Sequence, residues 1–178
     1  MSDRVSPRTL WLALSAAVLV LAGCPYSSEH PIGSPADAVR DNSLLGTWEA
    51  TQENEKLTIK IQGRGAAGYL ITAEGAGEEE TADFEAYVTA VDGQKFLNLR
   101  ETPGSPGEEW YYANYRSEDG RLLLRLVDDA LFESRSFASS EELRAFIRAN
   151  LKDPRLYGSE PDPGQDWDWE FRRTLPEA

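Results

Sequence analysis

From residue 57 to residue 127, apolar side chains recur at every second position, and glycine-bearing turns cut the pattern into short lengths. Leu57, Ile59 and Ile61 alternate with Lys56, Thr58 and Lys60; Tyr69, Ile71 and Ala73 follow. Phe84, Ala86, Val88 and Ala90 then alternate with Asp83, Glu85, Tyr87 and Thr89. A period of two puts one set of side chains on each face of a strand, so each run has one face to bury. Further short runs lie at 96–100, 110–115 and 122–127. The turns between them are Gly63-Arg64-Gly65, Gly75-Ala76-Gly77, Asp92-Gly93, the Pro/Gly stretch 103–107 and Asp119-Gly120. Asp-Gly is a strong hairpin signal, because a tight two-residue turn needs positive φ at both positions. The pattern predicts a mainly β (α+β) domain, an antiparallel meander or a closed barrel.

One helix interrupts the strands. Ser139 and Glu142 have capping-box spacing, and Leu143, Phe146, Ile147 and Leu151 fall on one helical face before Pro154. The spacing predicts an amphipathic helix over 140–151 with that whole face on the sheet. Ala130-Leu131-Phe132 reads as one further helical turn. At the end of the chain Trp167, Trp169 and Phe171 alternate with charged residues, which predicts a last strand with one aromatic face.

The N-terminus has a different logic. Arg4 and Arg8 precede an uncharged, Ala/Leu/Val-rich run, Trp11 to Gly23, that is too short for a transmembrane helix of about 20 apolar residues. It closes on Leu21-Ala22-Gly23-Cys24, which resembles the bacterial lipobox. That resemblance implies a signal peptide over 1–23, cleavage before Cys24, a diacylglyceryl group on its sulfur and a further acyl chain on the freed amine. Several chains give stable anchoring where one is marginal. Pro25 rather than Asp follows the cysteine, which by the same resemblance implies the outer membrane, with the domain facing the periplasm. The stretch 24–42, with Pro25, Pro31, Gly33 and Pro35, reads as a flexible tether with a reach of roughly 20–25 Å. A single domain over 43–178 follows it.

Composition excludes several activities. The chain holds 31 acidic against 18 basic residues, a net charge of −13. Nucleic acids need Lys/Arg surfaces, so no nucleic-acid partner is expected. The chain has one histidine and one cysteine. His30 lies in the tether and Cys24 is the acylated residue, so neither a Ser-His-Asp nor a Cys-His site can form, and a Cys/His zinc site fails likewise. No phosphate-binding glycine loop opens a helix. The loop Asp162–Asp168 lacks EF-hand spacing, and solvated carboxylates are its simpler explanation. No enzyme, metal or cofactor is expected.

Gly46-Thr47-Trp48, after Leu44-Leu45, resembles the Gly-x-Trp opening of lipocalins. That resemblance implies a Trp closing the barrel base, with an Arg of the last strand, Arg172 or Arg173, across its indole. Alternation allows only one of the two to fit. Cys24-Pro25-Tyr26, Leu44 to Trp48, Phe84 to Tyr87, Lys95 to Leu99 and Ser139 to Phe146 together resemble a family of uncharacterised bacterial lipoproteins, which implies a fold and a location but no activity. The aromatic residues Trp110, Tyr112, Trp167 and Trp169 join Trp48 as candidates for a pocket lining; filling the core is the alternative for each. Two functions stay open at this point: a membrane-anchored module that binds a small apolar ligand or an envelope protein, and a structural or interaction lipoprotein with a filled core.

Overall fold

The computed structural model describes residues 25–52, 55–75, 81–102, 109–132, 135–158 and 167–174. Residues 1–24, where a signal peptide and an acylated cysteine are expected, the turn at 103–107 and most of the loop before the last strand lie outside the described residues. The chain forms strands β1 (Ser27–Ser28), β2 (Gly46–Gln52), β3 (Glu55–Arg64), β4 (Gly68–Glu74), β5 (Thr81–Val91), β6 (Gln94–Glu101), β7 (Trp110–Glu118), β8 (Arg121–Leu126) and β9 (Trp169–Arg173). One α-helix, α1 (Ser140–Ala149), lies between β8 and β9.

Each strand from β2 to β9 pairs antiparallel with the next, and β9 returns to pair with β2. The result is a closed eight-stranded antiparallel barrel, lipocalin-like, with β1 as an added strand and α1 packed outside. Closure removes the exposed strand edges that an open sheet would carry. The hairpin signals act as expected. Asp92 and Gly93 have φ of 46° and 86°, and Asp119 and Gly120 have 49° and 72°. Positive φ at both positions lets β5–β6 and β7–β8 turn tightly without splaying.

Alternation sorts the side chains into two cores. The inward set from β2 to β9 includes Trp48, Ile59, Ile61, Tyr69, Ile71, Val88, Leu97, Tyr115, Leu122 and Phe171. Outward positions of β2–β4 carry ion pairs such as Lys56–Glu49 at 2.8 Å and Lys60–Glu74 at 2.6 Å. A barrel that is apolar inside and charged outside is the reverse of a membrane-spanning one. No helix among the described residues is long and apolar enough to cross a membrane.

The second core lies outside the barrel, on β5–β7. There Tyr87, Phe96, Trp110 and Tyr112 face outward and are covered by α1, the 3-10 turns at Asp129–Leu131 and Pro154–Tyr157, and residues 25–38. Ser139 caps α1 by accepting from the Glu142 amide at 3.3 Å, and the Glu142 carboxylate accepts from the Ala138 amide at 2.9 Å. Leu143 and Ile147 are fully buried. Phe146 and Leu151 are only partly buried, which corrects the expectation of a wholly buried face. Phe146 sits at the margin, beside Phe132 and Phe137, with the Arg135 guanidinium 5.0 Å from its ring.

Residues 25–42 are not a tether, and the domain does not start at residue 43. Ser27 and Ser28 pair with Tyr111 and Trp110, Tyr26 is buried, and Ile32 is fully buried. The segment has little regular structure, so its backbone groups are met by polar side chains on the outer barrel face. Asn98 accepts from the Ile32 amide at 2.8 Å, and the Tyr87 hydroxyl donates to the Gly33 carbonyl at 2.6 Å. The Tyr112 hydroxyl donates to the His30 carbonyl. A Cβ on Gly33 would meet Thr89 Cγ2 at 2.9 Å, so the glycine permits this close approach.

Candidate functional site

The two ends of the barrel differ. At the base, the chain enters β2 through a 3-10 turn, Asn42–Leu44, laid across the opening. Leu44 and Trp48 beneath it are fully buried. The Trp48 indole N–H donates to the Leu44 carbonyl at 2.8 Å. Register pairs Trp48 with Arg173, so Arg173 shares the inner face and its guanidinium lies 4.2 Å from the indole centroid. Its Nη1 donates to the Leu45 carbonyl at 2.6 Å and its Nη2 to the Ser43 carbonyl at 2.7 Å. One cation thus stacks on the ring and ties down the covering turn. Gly46 has φ of +132°, and a Cβ there would meet Arg173 Nη1 at 2.9 Å, so only glycine leaves the path open. Arg172 points outward and pairs with Glu170 at 3.2 Å.

Asp41 completes the seal. Its carboxylate accepts from the Ser43 amide at 3.0 Å, the Lys95 ammonium at 2.7 Å and the Tyr115 hydroxyl at 2.9 Å. Its side chain is 11% exposed. Burial alone would raise its pKa, but the bonds from Lys95, Ser43 and Tyr115 outweigh burial and hold it at about 2. Burial and the Asp41 charge together push the Tyr115 hydroxyl pKa upward, so it stays a donor. A folded-state pKa below the ordinary 3.8 adds stability above that value, and this is lost as pH falls toward 2. The shift corresponds to about 2 kcal/mol at neutral pH. Asp41→Asn should therefore narrow its stability gap to the wild type between about pH 5 and pH 2. Urea unfolding across that range checks it, and two curves that stay parallel would contradict the assignment.

The opposite end, the mouth, is built from smaller and less covered side chains. Inward positions there carry Ala50, Ala73 and Ala82, with Leu57, Leu99, Leu124, Leu126 and Trp169 around them. Ala82, Leu57, Leu99, Leu124, Leu126 and Trp169 are only partly buried although they face inward and pack on the core. Glu101 and Tyr111 share this inner face by register and are half-buried. Burial, then Glu101 and Glu109, raises the Tyr111 pKa, so the rim has acidic character.

The aromatic residues proposed from sequence as one lining fall into different places. Trp169 faces the mouth interior, 5.9 Å from Phe171. Trp48 plugs the base. Trp110 and Tyr112 belong to the outer core, because their positions in β7 have the outward parity; Trp110 packs edge-on against Tyr87 at 5.4 Å. Trp167 precedes β9 and lies outside the barrel, with the Arg116 guanidinium 5.5 Å from its ring. The inward parity of Ala50, Ala73 and Ala82 could have revealed the mouth, since small residues at core positions leave space. Among the described residues no group of three or more His, Cys, Asp or Glu side chains is placed to hold a metal ion. No protein-family model, curated protein or solved structure matches this chain.

Proposed function

We propose that this protein is a lipid-anchored lipoprotein of the cell envelope whose barrel holds a small, uncharged apolar molecule at its mouth. The observation that carries the reading is the contrast between the ends. The base is plugged by Trp48, Arg173 and Asp41, while among the described residues inward leucines, Ala82 and Trp169 are only partly buried at the mouth. Inward apolar surface that is only partly covered is the usual wall of a small-molecule site, and an eight-stranded barrel is at the size where side chains fill the interior or leave room for one small ligand. Glu101, on the inner face of the mouth by register with Phe84, disfavours an anionic head, so an alcohol or ester fits better than a fatty acid. The anchor rests on Leu21-Ala22-Gly23-Cys24 after the uncharged run, and the outer-membrane location on Pro25 at the next position.

The reading is tested by thermal unfolding of the full-length chain with decanol and with decanoate. Decanol should raise the midpoint by mass action, and decanoate should give no rise that depends on the mouth. Ala82→Trp, which fills the mouth, should abolish the decanol effect. No rise with decanol, or an equal rise in Ala82→Trp, would leave the barrel as a structural module with a filled core.

A further inference from the structure

A cavity lies on the outside of the barrel, away from its inward-facing mouth. It has a volume of about 500 Å³ and sits over the outer face of β6–β8 near the base. Leu151 after α1, Tyr157 of the last 3-10 turn and Trp167 wall it in. The volume is within the roughly 300–1,000 Å³ that small-molecule sites occupy. Among the described residues no Asp or Glu lines it. Its charged lining is Lys95, Arg116 and Arg125. Lys95 is committed to Asp41 at 2.7 Å. The one ion pair of Arg125, to Asp168, is long at 3.9 Å, and Arg116 has none among the described residues.

Each arginine lies over an aromatic ring: Arg116 is 5.5 Å from the Trp167 centroid and Arg125 is 4.5 Å from that of Tyr157. A guanidinium that stacks through its face keeps its N–H groups at its edge for hydrogen bonding. The Arg125 side chain is 13% exposed, and its buried Nε has no hydrogen-bond partner among the described residues. The nearest carboxylate oxygen, Asp168 Oδ1, is 3.9 Å away, beyond hydrogen-bond range, and Asp168 Oδ2 accepts from the Leu126 amide at 2.9 Å. Arg116 is exposed and has no ion pair among the described residues. Nε itself is closed to a ligand, so an incoming oxyanion would meet the Nη edge of Arg125 and the Arg116 guanidinium, neither of which has a hydrogen-bond partner among the described residues, through charge-assisted bonds.

We propose that this cavity binds a small molecule through a carboxylate or phosphate group held by Arg116 and Arg125, with Trp167, Tyr157 and Leu151 against its body. The site is separate from the mouth, which takes an uncharged ligand where this cavity takes an anion. Net negative charge elsewhere on the chain makes this cationic cavity a selective place for an anion.

The test is isothermal titration calorimetry on the full-length chain with inorganic phosphate, benzoate and benzamide, the last being the uncharged match to benzoate. Saturable binding of either anion, with none of benzamide, is the expected result; saturation by phosphate alone assigns a phosphate ligand and by benzoate alone a carboxylate ligand. Arg116→Gln, an exposed substitution that leaves the core untouched, should weaken the anion by about tenfold, the scale of one charge-assisted hydrogen bond. Binding of neither anion, equal binding of benzamide, or unchanged affinity in Arg116→Gln would overturn the proposal.

Discussion

Trp48→Ala is expected to destabilise the chain by about 3–5 kcal/mol, as for a buried Trp or Phe reduced to a methyl. The side chain is fully buried beneath Leu44 and is among the largest wholly enclosed groups in the molecule. Its removal leaves a void bounded by rigid strands on both sides, since β2 pairs with β3 and β9 along this stretch. The substitution also takes away the ring under the Arg173 guanidinium and the donor to the Leu44 carbonyl. Trp48→Phe keeps most of the volume but loses the N–H, which leaves the buried Leu44 carbonyl without that bond and should cost about 1–3 kcal/mol. Urea unfolding of both variants against the wild type measures the difference. A loss below about 1 kcal/mol for Trp48→Ala would mean that the base does not depend on the indole.

Cys24→Ser is expected to abolish lipid attachment and processing, leaving no mature membrane-bound protein. A hydroxyl in place of the thiol offers no sulfur for the diacylglyceryl group, and no helix among the described residues can span a bilayer in its stead. Fractionation of cells expressing the two forms checks this, and a gradient separating inner from outer membrane checks the location. Processed, membrane-bound protein from the serine variant would refute the anchor. The packing of residues 25–42 alters what anchoring means here. Pro25 already bridges Asp128, and Tyr26 donates its amide to the Val127 carbonyl at 2.8 Å. An acyl group on the neighbouring residue would therefore start at the barrel wall, and the domain would ride against the headgroups rather than swing on a coil.

Strands were legible because period two survives wherever one face is buried, and Asp92-Gly93 and Asp119-Gly120 carry their turn chemistry in two residues. Trp48 and the last-strand arginine were legible through a three-residue motif plus strand parity, which selects Arg173 over Arg172. The segment 25–42 was not. Its prolines, serines and glycine look like a linker, and its fixation depends on Asn98, Tyr87 and Tyr112 more than 50 residues away in sequence. Trp110 and Tyr112 fill a core, as one of their two readings has it, but an outer one: alternation tells which residues share a face, not that both faces of β5–β7 are covered. The half-burial of Phe146 depends on where α1 ends against that second core. The outer cavity joins residues from β6, β7, β8 and the segment after α1, so no local pattern could announce it.

The central claim is that the barrel is plugged at one end and receives an uncharged apolar molecule at the other. Native mass spectrometry of the full-length chain, purified gently from its own envelope and released from detergent, tests it most directly. The account predicts a bound small molecule at one per chain that extracts into organic solvent, carries no charge, and is absent from Ala82→Trp. A wild-type chain with no non-covalently bound molecule, or an adduct retained equally in Ala82→Trp, would contradict it.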